Sequence, residues 1–264
     1  MGPQEAGESR SRKREDQKMA PAPVPADVGI VAALSIEVGD LIDRLHRIRK
    51  YHSASVPLIE GEYAGRIVVV AVGGPGRSAA YRAADLLVAG HQPRWLISAG
   101  FAGALNPDFA RNDVVLPHEI VDPEHHRIPV AVPETLASEK GCLRGRLLTV
   151  DRIIFNPEEK QELLRSYDAD LVDMESSAVA ALCSQKLIRF LPVRVISDDA
   201  RTVLPQEVAT LLMHTGSYRA GAAIRALWQR PSSLKDFWML HERALEASDR
   251  LAKVLARCLD LLPP

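Results

Sequence analysis

From Val28 onward, short apolar runs alternate with amphipathic stretches. The runs VGIVAAL from Val28, RIVVVAV from Arg66, RWLISAG from Arg94, DVVLPHEIV from Asp113, RLLTV from Arg146, DLVDM from Asp170 and FLPVRVIS from Phe190 read as strands. Several are apolar at successive positions, the pattern of strands buried on both faces. Between them, residues 36–46, 77–89, 157–165 and 176–185 carry apolar side chains at three- and four-residue spacing, which predicts helices. From about Val203 two long helical patterns follow, broken at Arg230-Pro231-Ser232-Ser233, and both are expected to pack on one face of the sheet. The alternation predicts an α/β fold of three αβα layers around a central, mostly parallel or mixed sheet. Residues 1–27 stand apart: charge, Pro and Ala with almost no large apolar side chain predict a disordered tail ahead of one domain spanning 28–264.

Composition narrows the class. A chain of 264 residues buries a substantial core, and 47% hydrophobic with 25% charged residues is ordinary for a globular protein. Thirty-three basic residues against 34 acidic ones give a net charge of -1, so no positive field gathers nucleic acid and a small-molecule partner is expected. The cluster Ser11-Arg12-Lys13-Arg14 is diluted by neighbouring acids and reads as a solvated tail. No apolar run reaches the roughly 18 to 20 residues that span a bilayer, and the first 18 residues are too polar for a secretion signal. Cys142, Cys183 and Cys258 lie far apart, and His125-His126 has no HExxH or Cys-pair context. Neither a metal nor a cofactor is expected, no membrane partner is implied, and a reducing cytoplasm fits best.

Three acids stand where predicted strands run out: Glu37, Glu175 and Asp198. In open α/β sheets ligands lie beyond the carboxyl ends of the strands, so acids from three strands can converge on one crevice. Each acid alone also has a plain role, capping free N–H groups at a helix start. The loop Gly73-Gly74-Pro75-Gly76-Arg77 follows a strand and opens a helix, so its N–H groups are placed to cradle an anion or approach a sugar. A tight structural turn explains the glycines equally well. A dinucleotide site would need an acid at the end of the next strand, and that strand ends in SAGFAGAL, a second turn of small residues.

Four segments, spread over residues 28–200, resemble the methylthioadenosine/S-adenosylhomocysteine nucleosidase branch of the nucleoside phosphorylase family. They are GIVAAL followed by Glu37, Leu96 to Leu105, VDMESSA around Glu175 and VRVISD ending at Asp198. The resemblance implies a nucleoside phosphorylase-like fold and cleavage of the N-glycosidic bond of an adenine nucleoside. It assigns Asp198 to protonation of purine N7, Glu175 to the ribose hydroxyls, Met174 to packing on the sugar and Glu37 to activation of water, with Ser197 beside Asp198 in the binding site. Protonating the base lets it leave neutral, which lowers the barrier directly. Family members assemble as homo-oligomers, so a homodimer or larger is expected.

Three departures from the family pattern bear on the substrate. Phe101 stands where these nucleosidases carry a small polar residue, so the ribose or water site is open to change. After Asp151 the family has an aromatic residue stacking on adenine, and here Ile153 gives apolar cover or Phe155 substitutes from a shifted backbone. Arg77 in the glycine loop is either a phosphate-binding cation, which favours phosphorolysis, or a solvent-facing residue of the first turn. Inorganic phosphate is therefore a second candidate partner. A phosphorylase, a non-catalytic nucleoside-binding protein and, more weakly, an NAD-dependent oxidoreductase are the competing readings.

Overall fold

The computed structural model describes residues 25–204 and 231–264. Its strands are β1 (Val28–Ala32), β2 (His46–Ser53), β3 (Val56–Tyr63), β4 (Arg66–Val72), β5 (Trp95–Ala104), β6 (Val114–Val115), β7 (Glu119–Val121), β8 (Arg127–Pro129), β9 (Cys142–Leu143), β10 (Arg146–Thr149), β11 (Leu171–Asp173) and β12 (Arg189–Asp198). The helices are α1 (Ser35–Ile42), α2 (Arg77–His91), α3 (Glu134–Ala137), α4 (Pro157–Tyr167), α5 (Ser176–Lys186) and α6 (Pro231–Leu261). The strands form one mixed sheet, ordered β2-β3-β4-β1-β5-β11-β10-β7-β8, with β12 on β5 and β6 and with β9 on β6.

Strand periodicity sets the layers. Val28, Ile30 and Ala32 of β1 pack with Val38 and Leu41 of α1 and with Leu251 and Leu255 of α6. Val31, on the other face, packs with Ala80, Ala83 and Leu87 of α2 and with Val179 and Leu182 of α5. Helices thus cover both faces, as the three-layer expectation requires. Helix α4 adds a smaller core, in which Leu163, Leu164 and Tyr167 lie against Leu148, Val172 and Ile154.

Strand β5 organises the centre. It runs parallel to β12 through residues 95–103, while its other edge is shared, by β1 at residues 95–98 and by antiparallel β11 at 103–104. Among the described residues no strand pairs with 99–102 on that second edge. The break lies beyond the carboxyl end of β1, where a ligand is expected in a sheet of this kind.

The structure departs from the sequence expectation in several places. The helix expected over 36–46 ends at Ile42; Leu45 turns into the core and His46 opens β2. β2 reads HRIRKYHS, a charged and largely exposed edge that pairs with β3, so its strand character is carried by backbone bonding and hidden in its side chains. The run from Asp113 divides into β6 and β7 around Pro117, which has no N–H for a ladder. Ala26 and Asp27, assigned to the tail, already belong to the fold: Ala26 N bonds His91 O at 2.8 Å, and Asp27 Oδ2 accepts from Ile67 N at 2.9 Å. Residues 1–24 of the expected tail, and residues 205–230 with the first of the two terminal helical patterns, lie outside the described residues. The second is α6, and from Ala247 onward its buried side chains join the α1 face of the sheet.

Candidate active site

Glu37 sits in the first turn of α1, and its carboxylate closes that turn: Oε2 accepts from Ala33 N at 3.0 Å and from Leu34 N at 2.8 Å. The capping role anticipated for a helix-opening acid is therefore real. The same group also crosses to the break in the sheet edge, where Oε1 accepts from Phe101 N at 3.0 Å. Burial pushes its pKa above the usual carboxylate range, against the N–H donors of Leu34, Phe101 and Ala33 and the charge of Arg194.

Glu175 precedes α5 and reaches the glycine loop. Its Oε1 accepts from Gly76 N at 2.8 Å and its Oε2 from Met174 N at 3.2 Å. Burial raises its pKa to about 8, with the charges of Asp173 and Glu37 adding to the rise and Gly76 N–H and Arg194 opposing it. Glu37 and Glu175 are thus close enough to act on each other electrostatically.

Asp198 ends β12. Its Oδ2 accepts from Lys160 Nζ at 2.5 Å, and its Oδ1 lies 2.6 Å from the Ser197 hydroxyl, which is also 3.2 Å from the Ala102 carbonyl. The carboxylate packs on β5 at Gly103, where an added Cβ would stand 3.1 Å from Oδ2. Gly100, three residues earlier on the same strand, has the matching relation to Glu37. The stretch SAGFAGAL, expected as a second turn, is instead the carboxyl half of β5, and its glycines are small because two carboxylates lie against them.

Behind these acids runs a buried polar network. Arg194 donates to Asp173 Oδ2 at 2.7 and 3.1 Å, to the Ser98 carbonyl at 2.6 Å and hydroxyl at 2.8 Å, and to the Ser176 hydroxyl at 2.7 Å. Thr149 donates to Asp173 Oδ1 at 2.8 Å and accepts from Ser177 N at 2.9 Å. Lys160, Asp173, Arg194, Thr149 and Ser98 were not singled out from the sequence, although a signal existed for two. Arg194 interrupts an apolar run, and Lys160 shares the apolar face of α4 with Leu163 and Leu164.

The glycine loop and Arg77 differ from the anion-cradle expectation. Gly73 N bonds Ala32 O at 2.9 Å, Gly74 N bonds Ala33 O at 3.1 Å and Gly76 N serves Glu175, so these donors are engaged within the protein. Arg77 makes a two-pronged pair with Asp151 at 2.8 and 2.6 Å and lies 3.6 Å from Glu124. That pairing raises the pKa of Arg77 and lowers that of Asp151. Neither the free phosphate-binding cation nor the solvent-facing residue describes it; Arg77 ties the glycine loop to the turn after β10.

Among the apolar candidates, Phe101 is half-buried and packs on the core shared by α1 and α6. Met174 is half-buried between Asp173 and Glu175. Ile153 and Phe155 are half-buried on the turn after β10, whereas Ile154 between them is the buried one. His125 stacks on Tyr167 at 4.3 Å and His126 bonds Asp122 at 2.9 Å, on an exposed turn.

Fold and site geometry together define a class. Residues 27–227 match the model of the phosphorylase superfamily, and the chain belongs to that family. Within it, the chain is similar to the 5′-methylthioadenosine/S-adenosylhomocysteine nucleosidase of Shewanella pealeana, with 25% identity over 230 residues covering 76% of this chain and 99% of that one. The nucleosidase of the same name from Shewanella baltica is 27% identical over 237 residues, 79% of this chain and 99% of its own. A solved nucleosidase of that name from Neisseria meningitidis, in complex with methylthio-immucillin-A, superposes with a TM-score of 0.69 at 19% identity, covering 89% of this chain and 99% of that one.

Proposed function

We propose that this chain hydrolyses the N-glycosidic bond of an adenine nucleoside of the 5′-methylthioadenosine/S-adenosylhomocysteine kind and releases adenine. The observation that carries the reading is the gathering of Glu37, Glu175 and Asp198 around β5 and the glycine loop, in a chain whose relatives bear that name. Glu37 is buried and Glu175 half-buried, and both have raised pKa values and are held by backbone donors. Positive charge growing on the ribose as the bond breaks favours the ionised form of both carboxyl groups, so their interaction with the sugar is stronger in the transition state than in the ground state. Glu175 is assigned the ribose hydroxyls, with Met174 packing on the sugar. Glu37, whose pKa is raised by burial, takes a proton from the attacking water. Asp198, oriented by Ser197, passes a proton to the base so that it departs neutral.

Water as nucleophile fits the engagement of Arg77 by Asp151 and of the loop amides by the protein itself. Phe101, packed toward α1 and α6, favours an apolar 5′ group on the sugar. By the same family reading the chain assembles as a homodimer or larger, which sedimentation of the purified protein tests. The central experiment incubates the protein with 5′-methylthioadenosine, S-adenosylhomocysteine, 5′-deoxyadenosine, adenosine and inosine, each with and without phosphate, and measures free base. Adenine release that ignores phosphate is expected. Turnover that strictly requires phosphate, or nucleoside binding without any release of base, overturns the assignment.

A further inference from the structure

Lys160 has no part in the scheme above, yet its side chain is only 1% exposed and its ammonium reaches the end of β12. Nζ lies 2.5 Å from Asp198 Oδ2 and 2.6 Å from the Asp199 carbonyl. Burying an ammonium is costly unless it is paired, and the position lies on the apolar face of α4, where a leucine would satisfy the helix pattern. The Asp199 carboxylate is committed elsewhere, to Arg201 N and the Thr202 hydroxyl, both at 2.9 Å. Asp198 is therefore the carboxylate that Lys160 serves. With the Ser197 hydroxyl on Oδ1 and Lys160 on Oδ2, that carboxylate is hydrogen-bonded at both oxygens, and Lys160 is the ammonium that reaches it.

We propose that Lys160 supplies, through Asp198, the proton that the leaving adenine acquires at N7; the inference rests on the hydrolase reading above. An Nζ–H bond breaks toward Asp198, and the carboxyl group so formed gives its proton to N7. The electron pair of the C1′–N9 bond stays with the base. Water adds to C1′ and its proton goes to Glu37. Lys160 ends neutral and Glu37 protonated, so the net charge of the site is conserved, and exchange with solvent resets both. Lys160 touches no substrate atom and is a positioning residue acting through Asp198.

The test is a set of variants assayed for adenine release from 5′-methylthioadenosine. Lys160→Met is expected to lower kcat by about 100-fold or more, the scale of lost proton transfer, with KM unchanged within about threefold. Lys160→Arg keeps charge and reach but holds its protons too tightly, and is expected to stay slower than the native protein by about 10-fold or more. Because Lys160 works through Asp198, adding Lys160→Met to Asp198→Asn is expected to cost less than about threefold beyond Asp198→Asn alone. A native rate in Lys160→Met, a rate restored by Lys160→Arg, or a full further loss in the double variant overturns the inference. Should Lys160→Met not fold, Lys160→Arg alone and combined with Asp198→Asn decides it. A native protein that releases no adenine overturns the functional reading instead.

Discussion

Arg194 and Asp173 meet at 2.7 Å at the centre of the sheet, with side chains 2% and 0% exposed. Arg194 also bears on both Glu37 and Glu175, lowering the proton affinity of each, so the pair is the electrostatic floor beneath the two acids. A desolvated pair of this kind stabilises little in net terms, but removing one partner strands the other charge out of water.

Arg194→Met and Asp173→Asn are therefore each expected to cost about 3–5 kcal/mol of unfolding free energy. Urea denaturation followed by circular dichroism measures it. A loss below about 1 kcal/mol, the range of an exposed pair, contradicts the description of this network as fully desolvated.

Glu175 predicts a pH dependence whose sign follows from its raised value. Its ordinary pKa of 4.5 becomes about 8 in the fold, so between those limits the folded state binds more protons than the unfolded one. The stability it contributes is present below pH 4.5 and is lost as pH rises toward 8. Glu175→Gln removes that loss, and its gain over the native protein is expected to be larger at pH 8 than at pH 5 by about 1–3 kcal/mol, at 1.36 kcal/mol per pKa unit. Glu37, shifted in the same direction, leaves part of the decline in place. Equal gains at the two pH values would show that Glu175 ionises freely in the folded protein.

The three acids stood out in the sequence because each follows an apolar run that reads as a strand, and strand ends are where ligands bind in such sheets. The β2-β3 hairpin was not, since HRIRKYHS has neither apolar alternation nor a helical stripe, and its pairing is decided by backbone bonds to β3. Lys160 stayed hidden for the opposite reason: residues 157–165 look like an ordinary amphipathic helix, and the meaning of one lysine on its apolar face depends on a carboxylate 38 residues away. Arg77 was legible as a cation but not as one already paired, because Asp151 lies 74 residues further along the chain. Local pattern marks the central strands and where they run out; the end of α1, the β2-β3 hairpin and the charge partners across the sheet need the fold.

The Arg77–Asp151 pair predicts how the protein meets phosphate. Its side chains are 31% and 61% exposed, so Arg77→Met is expected to change unfolding free energy by less than about 1 kcal/mol. Base release by the native protein is expected to ignore millimolar phosphate. Asp151→Asn frees the guanidinium, and phosphate is then expected to inhibit competitively with the nucleoside. If phosphate leaves Asp151→Asn unaffected, the freed Arg77 does not face the ligand.

Gly100 and Gly103 give the sharpest steric prediction. A Cβ on Gly100 would stand 2.7 Å from Glu37 Oε1 and 3.3 Å from its Cδ, closer than atoms tolerate. The carboxylate is the far end of a flexible side chain, so Gly100→Ala is expected to fold by displacing it. The displacement breaks the bond to Phe101 N and carries the proposed base away from its place, so kcat is expected to fall by about 100-fold or more while the nucleoside still binds. A Cβ on Gly103 would stand 3.1 Å from Asp198 Oδ2 and 3.5 Å from Val172, a tight but not impossible fit. Because Lys160 and Ser197 anchor that carboxylate, Gly103→Ala is expected to show the smaller effect, about 10-fold or less in kcat. Steady-state kinetics on both variants, with calorimetric titration of the nucleoside, ranks them. A Gly100→Ala protein that turns over at the native rate shows that Glu37 need not occupy the break beside β5 for catalysis, and removes it as the base.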